Sequence, residues 1–157
     1  MPRAKRIYVD ESGINTWLQR EYARAPRGEI IRDVRRGETF DRLNIIGALC
    51  GEAYIGVRCY RHPTDGNFFE SWFKECLLNK FPKGYTVIMD NARFHRKREL
   101  RKMARGKIRL LFLPPYSPDY NRIEKSWANM KRYLGGYLHT RQSLESAVYN
   151  YFGVVNN

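Results

Sequence analysis

No apolar run in the 157 residues approaches the roughly 18 to 20 needed to span a bilayer, and no apolar signal core follows the basic opening Met1–Arg6. Neither a membrane anchor nor secretion is expected. Cysteine is scarce and unpaired: Cys50, Cys59 and Cys76 form no C-x-x-C, and His62, His95 and His139 stand at no metal-ligand spacing from them. A disulfide framework and a structural zinc site are thereby excluded, and the thiols read as reduced core residues. Negative charge is short as well, with 16 Asp and Glu against 29 Lys and Arg, a net charge of +13. Folding does not require such an excess, and a polyanion, nucleic acid first, would exploit it. With 43% hydrophobic and 14% aromatic residues the chain is not a disordered basic tail. Its length suits one domain with a hydrophobic core and is short for two. The compartment that fits is the cytoplasm, in association with the nucleoid.

Hydrophobic patterning gives an element order. Ile7, Tyr8 and Val9 form a β-prone run ending in Asp10-Glu11-Ser12-Gly13, a strand and then a turn. Thr16–Thr39 lacks periodicity and reads as a short strand plus loops. Leu43–Leu49 and Tyr54–Tyr60 flank Gly51-Glu52 as an antiparallel hairpin. Phe68, Phe69, Trp72, Phe73, Cys76 and Leu77 recur on one helix face between an Asp65 N-cap and a Pro82-Lys83-Gly84 stop. Tyr85–Met89 and Ile108–Leu113 are apolar strands joined through a basic helical segment, Arg93–Arg109, which implies a parallel crossover. Ile123, Trp127, Met130 and Leu134 mark another helix face, with Trp127 a core residue, and Leu144, Val148 and Phe152 a last helix. The fold class is α/β: a mixed sheet, its first three strands antiparallel and the next parallel, flanked by helices.

Three acids stand out in this frame. Asp10 and Asp90 each follow a short central-strand candidate, and ligand sites in open α/β sheets collect at such strand ends. Glu124 opens the helix beyond the proline-rich loop Pro114–Tyr120. Each has an ordinary alternative: Asp closes strands in many turns, and Asn121-x-x-Glu124 is a capping-box pattern fit for any helix start. Taken jointly in a basic chain, three convergent carboxylates would suit Mg²⁺ or Mn²⁺, two such ions being able to serve phosphoryl transfer.

The blocks Tyr8-Val9-Asp10-Glu11-Ser12, Asp90-Asn91-Ala92-Arg93-Phe94-His95 and Pro114-Pro115-Tyr116-Ser117-Pro118-Asp119-Tyr120-Asn121-Arg122-Ile123-Glu124 resemble the three signatures of DDE transposases, on the bacterial insertion-sequence side of the mariner superfamily. Residues 91–123 separate the second and third acids, close to that family's usual interval. The resemblance implies a ribonuclease H-like catalytic domain over 1–157. It also implies that Asp10, Asp90 and Glu124 are catalytic residues holding two Mg²⁺ or Mn²⁺ ions, and that double-stranded DNA, as element ends and target, is cleaved and joined. Two departures stand out. Arg122 occupies the place where the family usually has proline, a residue suited to a helix start. Only nine residues precede Asp10, so the family's helix-turn-helix units are not expected within this chain and would come from a separate polypeptide. A homodimer is the expected active complex.

Other residues keep two readings. His95 contacts the scissile phosphate or orients Asp90, or else caps a turn, and Asn91 belongs to the same second rank. Asp119 and Asn121 orient Glu124 or simply hold the loop. Arg93, Arg96, Lys97, Arg98, Arg101, Lys102 and Arg105 lie in a segment whose one acid is Glu99, and they bind phosphates or form a solvated face. Tyr116 stacks or packs. The rival functions are a plain metal-dependent nuclease and a decayed, non-catalytic basic DNA-binding module. If the basic segment binds DNA, affinity falls steeply with salt, by about 0.9 log units per log unit of salt for each neutralised phosphate. Neutralising Arg96, Lys97, Arg101 and Lys102 together is expected to flatten that slope in filter-binding titrations. An unchanged slope would identify a solvated face.

Overall fold

The computed structural model describes residues 5–15, 42–137 and 143–153. Arg6–Asn15 (β1), Arg42–Cys50 (β2), Ala53–Tyr60 (β3), Thr86–Met89 (β4) and Arg109–Phe112 (β5) form one sheet in the order β3-β2-β1-β4-β5. β1–β2 and β2–β3 are antiparallel, β1–β4 and β4–β5 parallel. Helices Gly66–Phe73 (α1), Lys97–Ala104 (α2), Ile123–Tyr137 (α3) and Leu144–Phe152 (α4) complete the described elements. Among the described residues no helix is long and apolar enough to cross a membrane.

The pleat of β1 divides the core. Ile7 and Val9 pack with Phe69, Trp72, Phe73 and Leu100 against α1 and α2. Tyr8 and Ile14 pack with Ile123, Trp127, Met130 and Val148 against α3 and α4. Side chains alternate along a strand, so β1, apolar on both faces, is covered on both. The Asp65 carboxylate caps α1 by accepting from Phe68 N at 2.8 Å, and a π-helical turn, Lys74–Leu78, prolongs the helix. The α3 stripe is buried at all four positions read from its periodicity.

Two elements differ from the sequence expectation. β1 does not end at Asp10 but runs on to Asn15, because β2 pairs with its whole length, Asp10 opposite Gly47 and Asn15 opposite Arg42. Parallel pairing with β4 stops at Tyr8 opposite Ile88, so Asp10 lies where β1 and β4 part. The basic segment Arg93–Arg109 is helical only over Lys97–Ala104, since residues 92–96 form a tight turn that carries His95 into the interior. Thr16–Thr39 lies outside the described residues.

A bulge sits in the row of Asp10. Ile46 pairs with Arg58 and Ala48 with Ile55, so Gly47 of β2 faces two β3 residues, Gly56 and Val57. Gly56 has φ +61° and passes so close to Cys76 that a Cβ would lie 2.7 Å from the Cys76 Cβ, while its carbonyl accepts from Trp72 Nε1 at 2.7 Å. Bulges of this kind need glycine in the left-handed region. Gly56→Ala is expected to lower stability by about 2 kcal/mol or more, from backbone strain plus overpacking. A urea melt checks this, and an unchanged midpoint would contradict it.

Candidate active site

Where β1 and β4 separate, a cleft of about 380 Å³ opens, lined by Asp10, Asp90, Asn91, Asn121, Glu124 and the loop Leu113–Pro118. The three acids singled out in the sequence thus come from three elements to one cavity. A second cleft of about 420 Å³, bordered by Arg122 and Lys125, shares Pro118, Asn121 and Glu124 with it.

Each carboxylate is placed by a different contact. Asp10 is buried on the α3 face of β1, and its Oδ2 accepts a hydrogen bond from Trp127 Nε1 at 3.0 Å. Gly47 makes room for that indole: a Cβ there would stand 3.2 Å from Trp127 Cη2. Burial first, then the charges of Glu124, Glu11 and Asp90, push the Asp10 carboxyl up to about 8. Glu11, the next residue, points to the opposite face by the same alternation and meets His95 Nε2 at 3.1 Å. His95 Nδ1 in turn reaches Asp90 Oδ1 at 3.0 Å, and Ala92 N donates to that same oxygen at 3.0 Å. Burial disfavours charge on His95, but hydrogen bonds to Asp90 and Glu11 more than offset it and raise the imidazole to about 9. As an imidazolium it donates from both nitrogens. The His95 hydrogen bond holds the half-exposed Asp90 below the usual carboxylate range, while burial raises Glu11.

Glu124 stands in the first turn of α3, its N–H donating to Asn121 O at 3.1 Å. The capping box does not form. Asn121 instead crosses to β1, Nδ2 donating to Val9 O at 3.0 Å, and its buried Oδ1 has no hydrogen-bond partner. This orphaned oxygen on the wall of an acid-lined cleft, beside an Asp10 carboxyl that burial and then neighbouring negative charge push up, marks a deficit of positive charge. An all-oxygen donor set of this kind fits a hard divalent cation. Glu11, Asp90 and His95 also bring ligand atoms within 4.8 Å of one another. Both imidazole nitrogens there are already spent on hydrogen bonds, which makes that group a bracket for Asp90.

The remaining sequence candidates scatter. Asn91 Nδ2 donates to Leu113 O at 2.7 Å, tying the loops after β4 and β5. Asp119 is exposed on the short 3₁₀ turn Pro118–Tyr120 and borders the second cleft. Arg96 is engaged with Glu70 and Asn67, and the cationic ends of Lys97 and Arg101 lie over the Phe112 ring at 5.2 and 5.4 Å. Arg93, Arg98, Lys102 and Arg105 are exposed. Arg122 lies over the Tyr8 ring at 6.0 Å. Sequence reasoning missed Glu11, visible only as half of an acidic pair, and the polar end of Trp127, which stands on the next turn of α3 from Glu124.

The sequence profile described as DDE superfamily endonuclease matches residues 5–145. The Transposable element Tc1 transposase of Caenorhabditis elegans is 34% identical over 71 residues, 45% of this chain and 26% of that protein. The fold is similar to that of the Mos1 transposase paired-end complex with left transposon end, with a TM-score of 0.65 and 13% identity over 98% of this chain and 49% of that one. It is also similar to a pre-cleavage Mos1 transpososome, with a TM-score of 0.66 and 15% identity over 98% and 50%. The mixed sheet is thus of the ribonuclease H-like type. The chain spans about half the length of these solved chains and about a quarter of the curated relative.

Asp10 is expected to cost stability in the metal-free protein. Asp10→Asn should raise the stability in EDTA by on the order of 1 kcal/mol, seen as a higher melting midpoint, and abolish the further rise that Mn²⁺ produces in the unaltered protein. Thermal melts with and without Mn²⁺ measure both. Equal Mn²⁺ stabilisation of the two proteins would remove Asp10 from the ligand set.

Proposed function

The chain belongs to the DDE superfamily endonucleases, and from that membership we propose that residues 1–157 form the catalytic domain of a mariner-type transposase, cleaving double-stranded DNA at element ends and joining it to target DNA. The observation that carries this reading is the convergence of Asp10, Asp90 and Glu124, from β1, the end of β4 and the start of α3, on one cleft. These three are the catalytic, metal-holding residues, and two Mg²⁺ or Mn²⁺ ions fit the donor set. Bound there, the ions would activate the attacking oxygen and stabilise the leaving one.

The chain's own side chains prepare the site. Trp127 engages one oxygen of Asp10 and so fixes the orientation of its carboxyl. The Glu11–His95 pair holds Asp90, and Asn121 anchors the chain leading into α3 to Val9, which aims Glu124. Exposed cations of α2 and its flanks, Arg93, Arg98, Lys102 and Arg105, supply phosphate contacts on the β4–β5 side. Water attacks first and a freed DNA 3′-hydroxyl second, without a covalent enzyme intermediate. Recognition of element ends requires base-edge contacts, which a separate helix-turn-helix polypeptide would supply, and a homodimer would bring two ends together. The protein would work on the nucleoid.

Asp10→Asn, Asp90→Asn and Glu124→Gln are each expected to lower cleavage of a labelled duplex in Mg²⁺ by about a thousandfold or more, without additivity, while circular dichroism stays unchanged. Near-normal cleavage by any one of them would remove that residue from the site. Strand transfer of pre-cut ends separates a transposase from a plain nuclease.

A further inference from the structure

Tyr116 combines two features that no side-chain packing among the described residues accounts for. It is the one non-glycine among the described residues with a positive φ, +57°, in the left-handed region that side chains avoid unless, like Asn or Asp, they can hydrogen-bond locally. Its ring is also fully exposed. Packing therefore does not account for the aromatic, and the turn alone would be better served by glycine. The surrounding chain enforces the conformation: Pro114, Pro115 and Pro118 each fix their own φ, and Ser117 Oγ donates to Pro115 O at 3.3 Å. A disfavoured backbone held by its neighbours, with a bare ring at its apex, points to a ligand.

The position of the ring defines that ligand. Tyr116 lines the same cleft as Asp10, Asp90 and Glu124. The floor of the cleft is acidic, so a phosphate can approach only with cations, whereas an aromatic face on the rim recognises a flat, weakly polar surface. In a nucleic acid that surface is the face of a base, exposed only when the base has left its stack. We infer that Tyr116 is a stacking platform for one unpaired nucleobase beside the reacting phosphodiester, and that this site accepts any of the bases because each offers a π face. The inference rests on the DNA-cleaving reading above and adds to it a binding site for an extruded base.

The experiment compares affinities of the full chain in Ca²⁺ for two probes. One is a duplex with a three-nucleotide thymidine overhang; the other carries the same overhang made of abasic sugar-phosphate. The unaltered protein is expected to favour the base-bearing overhang by about tenfold or more, and Tyr116→Phe to keep that preference. Tyr116→Ala and Tyr116→Gly are expected to lose it, glycine even though it relaxes the backbone. Tyr120→Ala, which alters the loop's other exposed tyrosine outside this cleft, should behave as the unaltered protein. Photocrosslinking of 5-iodouracil in the overhang should map to Tyr116. Preference retained by the glycine variant, or a crosslink elsewhere, would overturn the inference, because the residue would then serve only the turn. Equal binding of the two probes by an unaltered protein that still cleaves DNA would overturn the stacking site and leave the transposase reading intact. Absence of any DNA binding would overturn both.

Discussion

The hydrogen bond from Trp127 Nε1 to Asp10 Oδ2 joins the middle of the central strand to the helix that carries Glu124. Both groups are buried, so an unmade bond there would cost far more than an exposed one contributes. With Asn121 bonded to Val9 O one residue earlier on β1, it fixes α3 along the strand and about its own axis. The separation of two carboxylates from distant parts of the chain is therefore set by two hydrogen bonds and an apolar stripe. Burial first, and the resulting crowding of acids second, raise the Asp10 carboxyl to about 8 in the absence of a cation.

The other face of β1 solves a different electrostatic problem. Glu11 and Asp90 would repel if they met directly, and a buried imidazolium between them turns repulsion into two charge-assisted hydrogen bonds. The Asp90 carboxyl is thereby held below the usual carboxylate range while that of Asp10 is raised, although both line one cleft. The difference comes from strand alternation: consecutive residues Asp10 and Glu11 face opposite layers, one meeting an indole and the other a histidine.

Much of this was legible in the sequence, wherever the signal was local. The Asp65 cap, the hairpin around Gly51-Glu52, the α3 stripe and the acids at the end of β4 and the start of α3 all depend on residues within a few positions of one another. What escaped depends on pairing across the chain. The extension of β1 to Asn15 is dictated by β2, some thirty residues on, and Asp10-Glu11-Ser12-Gly13 taken alone reads as a turn. The shortness of α2 follows from where His95 must go, which is decided by Glu11 and Asp90. Asn121 satisfied a capping pattern on paper, yet its side chain is committed to a strand carbonyl 112 positions earlier. Trp127 read as core, and its apolar body is core; only its single N–H has a second role, and hydrophobic periodicity carries no information about that atom.

The bulge opposite Asp10 extends these dependencies across the sheet. Gly47 abuts the Trp127 ring, and across the strand pair Gly56 abuts Cys76 and Trp72. A methyl group added to Gly47 would thus be transmitted, through the Trp127 indole, to a carboxylate it never touches. The tightly packed residues around these two glycines form a band running from α1 through three strands to α3. Sequence drift in that band is constrained by volume rather than by charge, so relatives that keep all three acids but enlarge either glycine would retain the motif and lose the geometry.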